Sequence, residues 1–71
     1  MRDYLIIIES GKHNYSAYAP NLPGCVATGK TLEEVKRNMQ GAIEFHIQGL
    51  LEEREPVPEP TSIAERVQVS V

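Results

Sequence analysis

The alternation of apolar and polar residues along the chain predicts three strands before a single helix. The run DYLIIIE is rich in β-branched and aromatic residues, which strands favour. It is apolar on both faces, so we expect residues 4–8 to form a central strand buried on both sides. The turn-forming stretch SGKHN separates it from YSAYA, a second strand over residues 15–19. After the turn PNLPG, the stretch CVATG predicts a short third strand over residues 25–29.

A long amphipathic helix should follow the third strand. Thr31 and Glu34 have the spacing of a capping box, in which the Thr hydroxyl accepts from a first-turn amide and Glu34 reaches back to the amide of Thr31. One face of this helix carries apolar or half-polar residues at steps of three and four, and the helix should end near Glu53, before EPVPEP. That face consists of Leu32, Val35, Met39, Ile43, His46 and Leu50.

The final stretch RVQVSV alternates strictly and predicts a fourth, half-buried strand. The predicted fold class is therefore α+β, in the order β-β-β-α-β. A right-handed crossover would place strand four parallel to strand one, giving a mixed four-stranded sheet of order 3-2-1-4 with the helix on one face. This order resembles the first half of the ribonuclease H fold.

Length and charge limit the function classes. The 71 residues allow one domain, residues 1–71, with a thin core that oligomerisation often supplements. The formal charge of −3 gives no basic face for nucleic acid, although an acidic surface suits a basic protein partner. The longest apolar run is too short for a membrane span or a signal peptide, and the single cysteine fits a reducing compartment. We therefore expect a cytoplasmic protein.

The stretch GCVATGKT, residues 24–31, matches the G-x-x-x-x-G-K-T pattern of a phosphate-binding P-loop. In a P-loop, a buried strand ends just before the first glycine, and a Walker-B carboxylate holds magnesium. Here the first glycine follows a proline in a turn, and the residues after it resemble a strand. We interpret Gly24 as part of a turn, Lys30 as solvated and Thr31 as a helix N-cap.

Other chemistry has little support in the sequence. Cys25 could pair with His13 or His46 as thiol and imidazole, but their spacing does not bring them together, and no close ligand pair indicates a metal site. A ribonuclease H reaction needs several carboxylates that clamp two metals, whereas only Asp3 and Glu9 flank the first strand. We expect no catalytic residue, no metal and no cofactor.

The chain resembles the N-terminal domain of HicB-type antitoxins from about residue 4 to residue 71. The resemblance rests on APNLPGCVATGKTLEEV, the long amphipathic helix and LLEEREPVPEPTS, of which Pro-Glu-Pro is the most characteristic part. It implies a partial ribonuclease H-like fold without catalytic acids. It also implies a non-enzymatic module that binds a small basic mRNA-cleaving toxin of the HicA type and covers its active site.

Many members of that family carry a further DNA-binding domain. This chain stops at Val71, so we expect no such domain and no direct DNA binding. Two other functions stay open: a minimal metal-dependent nuclease of ribonuclease H type, and an orphan oligomeric module without a toxin.

Self-association follows from the apolar pattern of strand one. A single helix can cover only one face of the sheet, and the alternating valines of strand four add a free edge. We therefore predict a homodimer or homotetramer, whose contact surface could equally be the one that docks a toxin. The candidate contact residues are Tyr4, Ile6, Ile8, Tyr18, Leu22, Val67, Val69 and Val71.

Overall fold

Three antiparallel strands and one helix make up the fold in the computed structural model, which describes residues 2–71. The strands are β1 (Ile7–Ser10), β2 (Tyr15–Tyr18) and β3 (Val26–Gly29), and the helix is α1 (Leu32–Glu52). The sheet order is β1-β2-β3, so the α+β class and the 3-2-1 part of the predicted order are confirmed.

The predicted fourth strand is not confirmed. Residues 55–71 have no regular secondary structure, and the sheet in residues 2–71 has three strands. Strand β1 is consequently an edge strand rather than the predicted central one, and the relationship to ribonuclease H is not confirmed either. The register explains why β1 begins later than expected: Ile7 pairs with Tyr18, the last residue of β2, and residues 4–6 extend past the end of that strand.

The start of α1 follows the predicted capping box with one change. The backbone amide of Glu34 donates to the Thr31 hydroxyl at 3.0 Å, which confirms Thr31 as the N-cap. The Glu34 carboxylate, however, accepts from the amide of Lys30 at 3.3 Å and not from that of Thr31. A second tie holds the helix to the sheet, since the Asn38 side-chain amide donates to the Thr28 carbonyl at 2.8 Å.

Helix α1 ends in a backbone conformation that the sequence does not indicate, because the residue at this position is an arginine and not a glycine. Arg54 adopts a positive φ of 58°, where glycine is the common residue. The amide of Arg54 donates to the Leu51 carbonyl, and the amide of Glu55 donates to the Leu50 carbonyl at 2.8 Å. These two bonds are those of a Schellman motif, so the helix stops before the proline-rich segment begins.

The core lies between α1 and the β2–β3 half of the sheet. Six side chains in the described part of the chain are buried, and Leu22, Val35 and Met39 have no exposed surface. Gly29 lets the helix approach closely, because a Cβ atom at this position would lie 2.5 Å from the Val35 nitrogen. Helix α1 crosses β3 and β2 but does not reach β1. The buried set is Ala17, Ala19, Leu22, Cys25, Val35 and Met39.

Candidate partner-binding surfaces

The last nine residues, 63–71, form an exposed segment that we call the arm. Ile63 is 82% exposed, Val67 82% and Val69 70%, so its apolar side chains lie almost entirely in water. Just before the arm, the chain is tied to the domain. The Asn21 side-chain amide donates to the Thr61 hydroxyl, and the amide of Ser62 donates to the Asn21 side-chain oxygen, both at 3.1 Å.

The predicted contact residues of strand one face the core and not a free surface. Tyr4, Ile6 and Ile8 are half-buried and pack against the buried cluster. The Tyr4 hydroxyl donates to the Pro58 carbonyl, so the proline-rich segment lies near the start of β1. Leu22 has no exposed surface and therefore belongs to the core rather than to a contact surface.

The opposite face, which we call the open sheet face, is divided into two rows by the strand register. Ile7 pairs with Tyr18, which pairs with Val26, and these three residues form an apolar row across the sheet. The next row on this face is polar and consists of Glu9, Ser16 and Thr28. Tyr18, a predicted contact residue, is 43% exposed and lies at the centre of the apolar row.

One strongly exposed aromatic residue was not among the predicted contact residues. Phe45 is 80% exposed and, with Val26 at 65%, borders a shallow depression that we call the Phe45 cleft. Its full lining is Gly24, Cys25, Val26, Ala42, Phe45 and His46. Phe45 does not belong to the apolar face of the predicted helix. Its position in the sequence therefore indicates that it is not a core residue.

Gly41 and Gly49 precede and follow Phe45 by four residues on the helix. Both are exposed, and nothing lies within 4 Å of the position that a Cβ atom would occupy at either glycine. They therefore do not serve a close approach of α1 to the sheet. They leave the backbone on either side of Phe45 accessible to a partner.

The Phe45 cleft does bring Cys25 and His46 to the same depression, contrary to the expectation from their spacing. Burial raises the pKa of the Cys25 thiol. A raised pKa favours the neutral thiol over the nucleophilic thiolate, so this cysteine is suited to packing. Within residues 2–71, no three His, Cys, Asp or Glu side chains lie close enough together to hold a metal ion.

The P-loop-like stretch is divided among three structural elements. Gly24 has a φ of 83° in the turn before β3, residues 26–29 are in the β3 ladder, and Thr31 caps α1. The Glu34 carboxylate already occupies the Lys30 amide, where a phosphate would otherwise be attracted. A carboxylate at this position repels a second anion, so the stretch is suited to starting a helix and not to binding a nucleotide.

Comparison with known proteins gives a family and several relatives. The sequence model described as "HicB_like antitoxin of bacterial toxin-antitoxin system" matches residues 4–70. An uncharacterized 14.9 kDa protein from the rep-hol intergenic region of Haemophilus phage HP1 is 39% identical over 64 residues, which cover 90% of this chain and 48% of the phage protein. A UPF0150 protein of Synechocystis is 34% identical over 70 residues, which cover 97% of this chain and 89% of that protein.

A UPF0150 protein of Helicobacter pylori is 44% identical over 41 residues, which cover 58% of this chain and 57% of that protein. No solved structure matches the chain significantly. The chain thus spans about half the length of the phage relative and most of the Synechocystis one. The absence of a DNA-binding domain stays a prediction.

No helix within residues 2–71 has the length and apolar character to cross a membrane.

Proposed function

Because the chain belongs to the HicB-like antitoxin family, we propose that it binds a small basic ribonuclease of the HicA type and inhibits it by covering its active site. The observation that carries this proposal is the family match over residues 4–70. Family membership suggests a non-enzymatic role, and the complex would reside in the cytoplasm, where mRNA is cleaved.

The charge distribution supports a basic partner. The formal net charge is −3, and five of the glutamates lie within residues 52–65. All five are exposed, so they make the electrostatic potential more negative around the end of α1 and the segment after it. Such a potential speeds encounter with a positively charged protein and repels nucleic acid. These residues are Glu52, Glu53, Glu55, Glu59 and Glu65.

We propose the Phe45 cleft as the surface that contacts the toxin. A large aromatic side chain that is 80% exposed costs hydration free energy until a partner covers it, and aromatic residues are enriched among binding hot spots. Gly41 and Gly49 leave room on either side for close approach of a partner backbone. Glu44, which precedes Phe45, is exposed and could pair with a basic group at the rim.

The test begins with the gene next to this one. If it encodes a small basic protein, the two are co-expressed and purified through a tag on the toxin, and RNA cleavage by the toxin is measured with and without this chain. We expect a stable complex that cleaves no RNA. Absence of complex formation with such a neighbour, or a complex that retains full ribonuclease activity, would contradict the proposal.

The docking surface is tested by Phe45→Ala, with Leu51→Ala as the matched control. Leu51 is also an exposed apolar residue of α1, at 61%, but is six residues away and faces a different direction. We expect Phe45→Ala to weaken toxin binding by about 30-fold or more and Leu51→Ala to leave it within about threefold. Equal effects of the two substitutions would exclude the Phe45 cleft as the contact surface.

A further inference from the structure

Within residues 2–71, two complementary features of this chain have no partner. Strand β1 forms a ladder with β2 on one side only, and its other edge is free. The arm has the alternation of a strand, with Val67, Val69 and Val71 on one face, yet all of its residues are exposed. A free edge and an unpaired strand pattern are the two components of β-strand addition.

The connections before the arm direct it away from its own β1 edge. Pro58 is held at Tyr4, beside the start of β1, but Thr61 and Ser62 are held at Asn21, in the connection between β2 and β3. Between these points the chain crosses one end of the sheet, from the start of β1 to the β2–β3 connection. To pair with its own β1, the arm would have to reverse at once and cross back.

The shape of the molecule agrees with an arm that projects. The principal extents are 47 × 27 × 20 Å, and the radius of gyration is 13.8 Å. A compact chain of this length should have a radius of gyration of about 11 Å. The difference indicates that part of the chain lies away from the domain, and the arm is the longest run within residues 2–71 in which every residue is exposed.

We propose that two copies of this chain exchange arms, so that residues 66–71 of each copy pair with the free edge of β1 in the other. Each copy offers one arm and one free β1 edge. A reciprocal exchange around a twofold axis therefore pairs both arms and both edges and gives a closed dimer. The occupant of the edge is therefore a second copy, since any other partner strand would leave the arm itself unpaired.

The apolar faces fit this arrangement. Ile8 in β1 and Ile6 just before it face the core and stay half-buried, because α1 does not extend over this strand. An added strand with its valines on that side would continue the core beyond the reach of the helix. The other free edge, on β3, is less suitable because α1 already covers the core side of that strand.

The proposal is tested on the purified chain alone, so the result does not depend on whether a toxin exists. Sedimentation equilibrium at micromolar concentration should give twice the 7.9 kDa chain mass. Val69→Pro removes a backbone donor from each arm and should weaken the dimer about tenfold per arm, or about 100-fold in all. The matched control is Ala64→Pro, which places the same residue in the arm before the paired stretch and should leave the mass unchanged.

Hydrogen exchange identifies the edge. In the dimer we expect protection of amides in residues 67–71 and additional protection in Ile7–Ser10, both lost in Val69→Pro while the α1 amides stay protected. A monomeric chain, a dimer insensitive to Val69→Pro, or new protection in Val26–Gly29 instead of β1 would each overturn the proposal. Loss of α1 protection in Val69→Pro would also overturn it, because the arm would then be part of the fold and not an exchangeable strand.

Discussion

Residues 7–52 and residues 53–71 are held by different kinds of contact. The first region has a hydrogen-bonded sheet, a capped helix and a buried cluster between them. The second has no strand or helix, and after the helix-capping bonds of residues 53–55 it is tied to the domain by hydrogen bonds to Tyr4 and Asn21. The free energy of folding therefore comes from the first region, whereas the apolar residues of the arm stabilise the protein only after another surface covers them.

Truncation of the core should produce the largest effect. Met39 has no exposed surface and packs between α1 and the sheet. We expect Met39→Ala to lower the free energy of unfolding by about 2–5 kcal/mol, because it removes buried methylene groups and leaves a cavity. Urea unfolding in a Val69→Pro background measures this without a contribution from association.

The matched substitution in the arm is Val67→Ala in the same background. Val67 is 82% exposed, so the free energy of unfolding should change by less than about 0.5 kcal/mol. A cost near that of Met39→Ala would show that the arm packs within its own chain, and the contrast between the two regions would disappear.

A second contrast separates two glycines of the first region. At Gly29 a Cβ atom would lie 2.5 Å from the Val35 nitrogen, so Gly29→Ala should push α1 away from β3 and cost about 1–3 kcal/mol. At Gly41 nothing lies within 4 Å, so Gly41→Ala should stabilise the helix by about 1 kcal/mol. Thermal unfolding of both variants gives the sign of the change in stability. A gain in stability from Gly29→Ala would mean that the helix packs against the sheet more loosely than in the structure.

The elements that sequence patterns predicted well are those whose partners lie within the chain. Strands β2 and β3 were each predicted within one residue of the observed bounds, and the helix end was predicted near its observed C-cap, Glu53. Capping of Thr31 depends on residues three positions apart, so the local sequence is sufficient to predict it.

The predictions that were not confirmed concern pairing at a distance. Alternating valines show that residues 66–71 are able to form a strand, but a strand also needs an edge, and the sequence does not say which edge or which chain supplies it. The position of β1 at the edge of the sheet follows directly from the missing fourth strand. That Phe45 lies beside Cys25 and Val26 was equally hidden, because it depends on how the helix packs against the sheet.

Loss of the N-cap should lower the free energy of unfolding by less than Met39→Ala or Gly29→Ala does. Thr31→Ala removes the hydroxyl that accepts from the Glu34 amide and should cost about 1 kcal/mol. Lys30→Ala should cost almost nothing, since only the backbone amide of Lys30 takes part in the cap. Addition of Mg-ATP should not shift the melting temperature of the protein, and a shift that Lys30→Ala abolishes would restore the nucleotide-binding interpretation.

At the tie between the two regions we expect a local effect with little change in the global stability of the fold. Tyr4→Phe keeps the ring that packs against the core and removes only the hydroxyl that donates to the Pro58 carbonyl. Loss of one part-buried hydrogen bond is worth about 0.5–1.5 kcal/mol, and we expect most of it to appear as local opening, because Pro58 lies outside the sheet and helix. The Ser62 amide, which donates to Asn21, should then exchange hydrogen about two- to tenfold faster, while the Glu34 amide at the helix cap keeps its rate. If the rates of both amides rise together, the segment before the arm is part of the cooperative fold; if neither changes, Asn21 alone holds it.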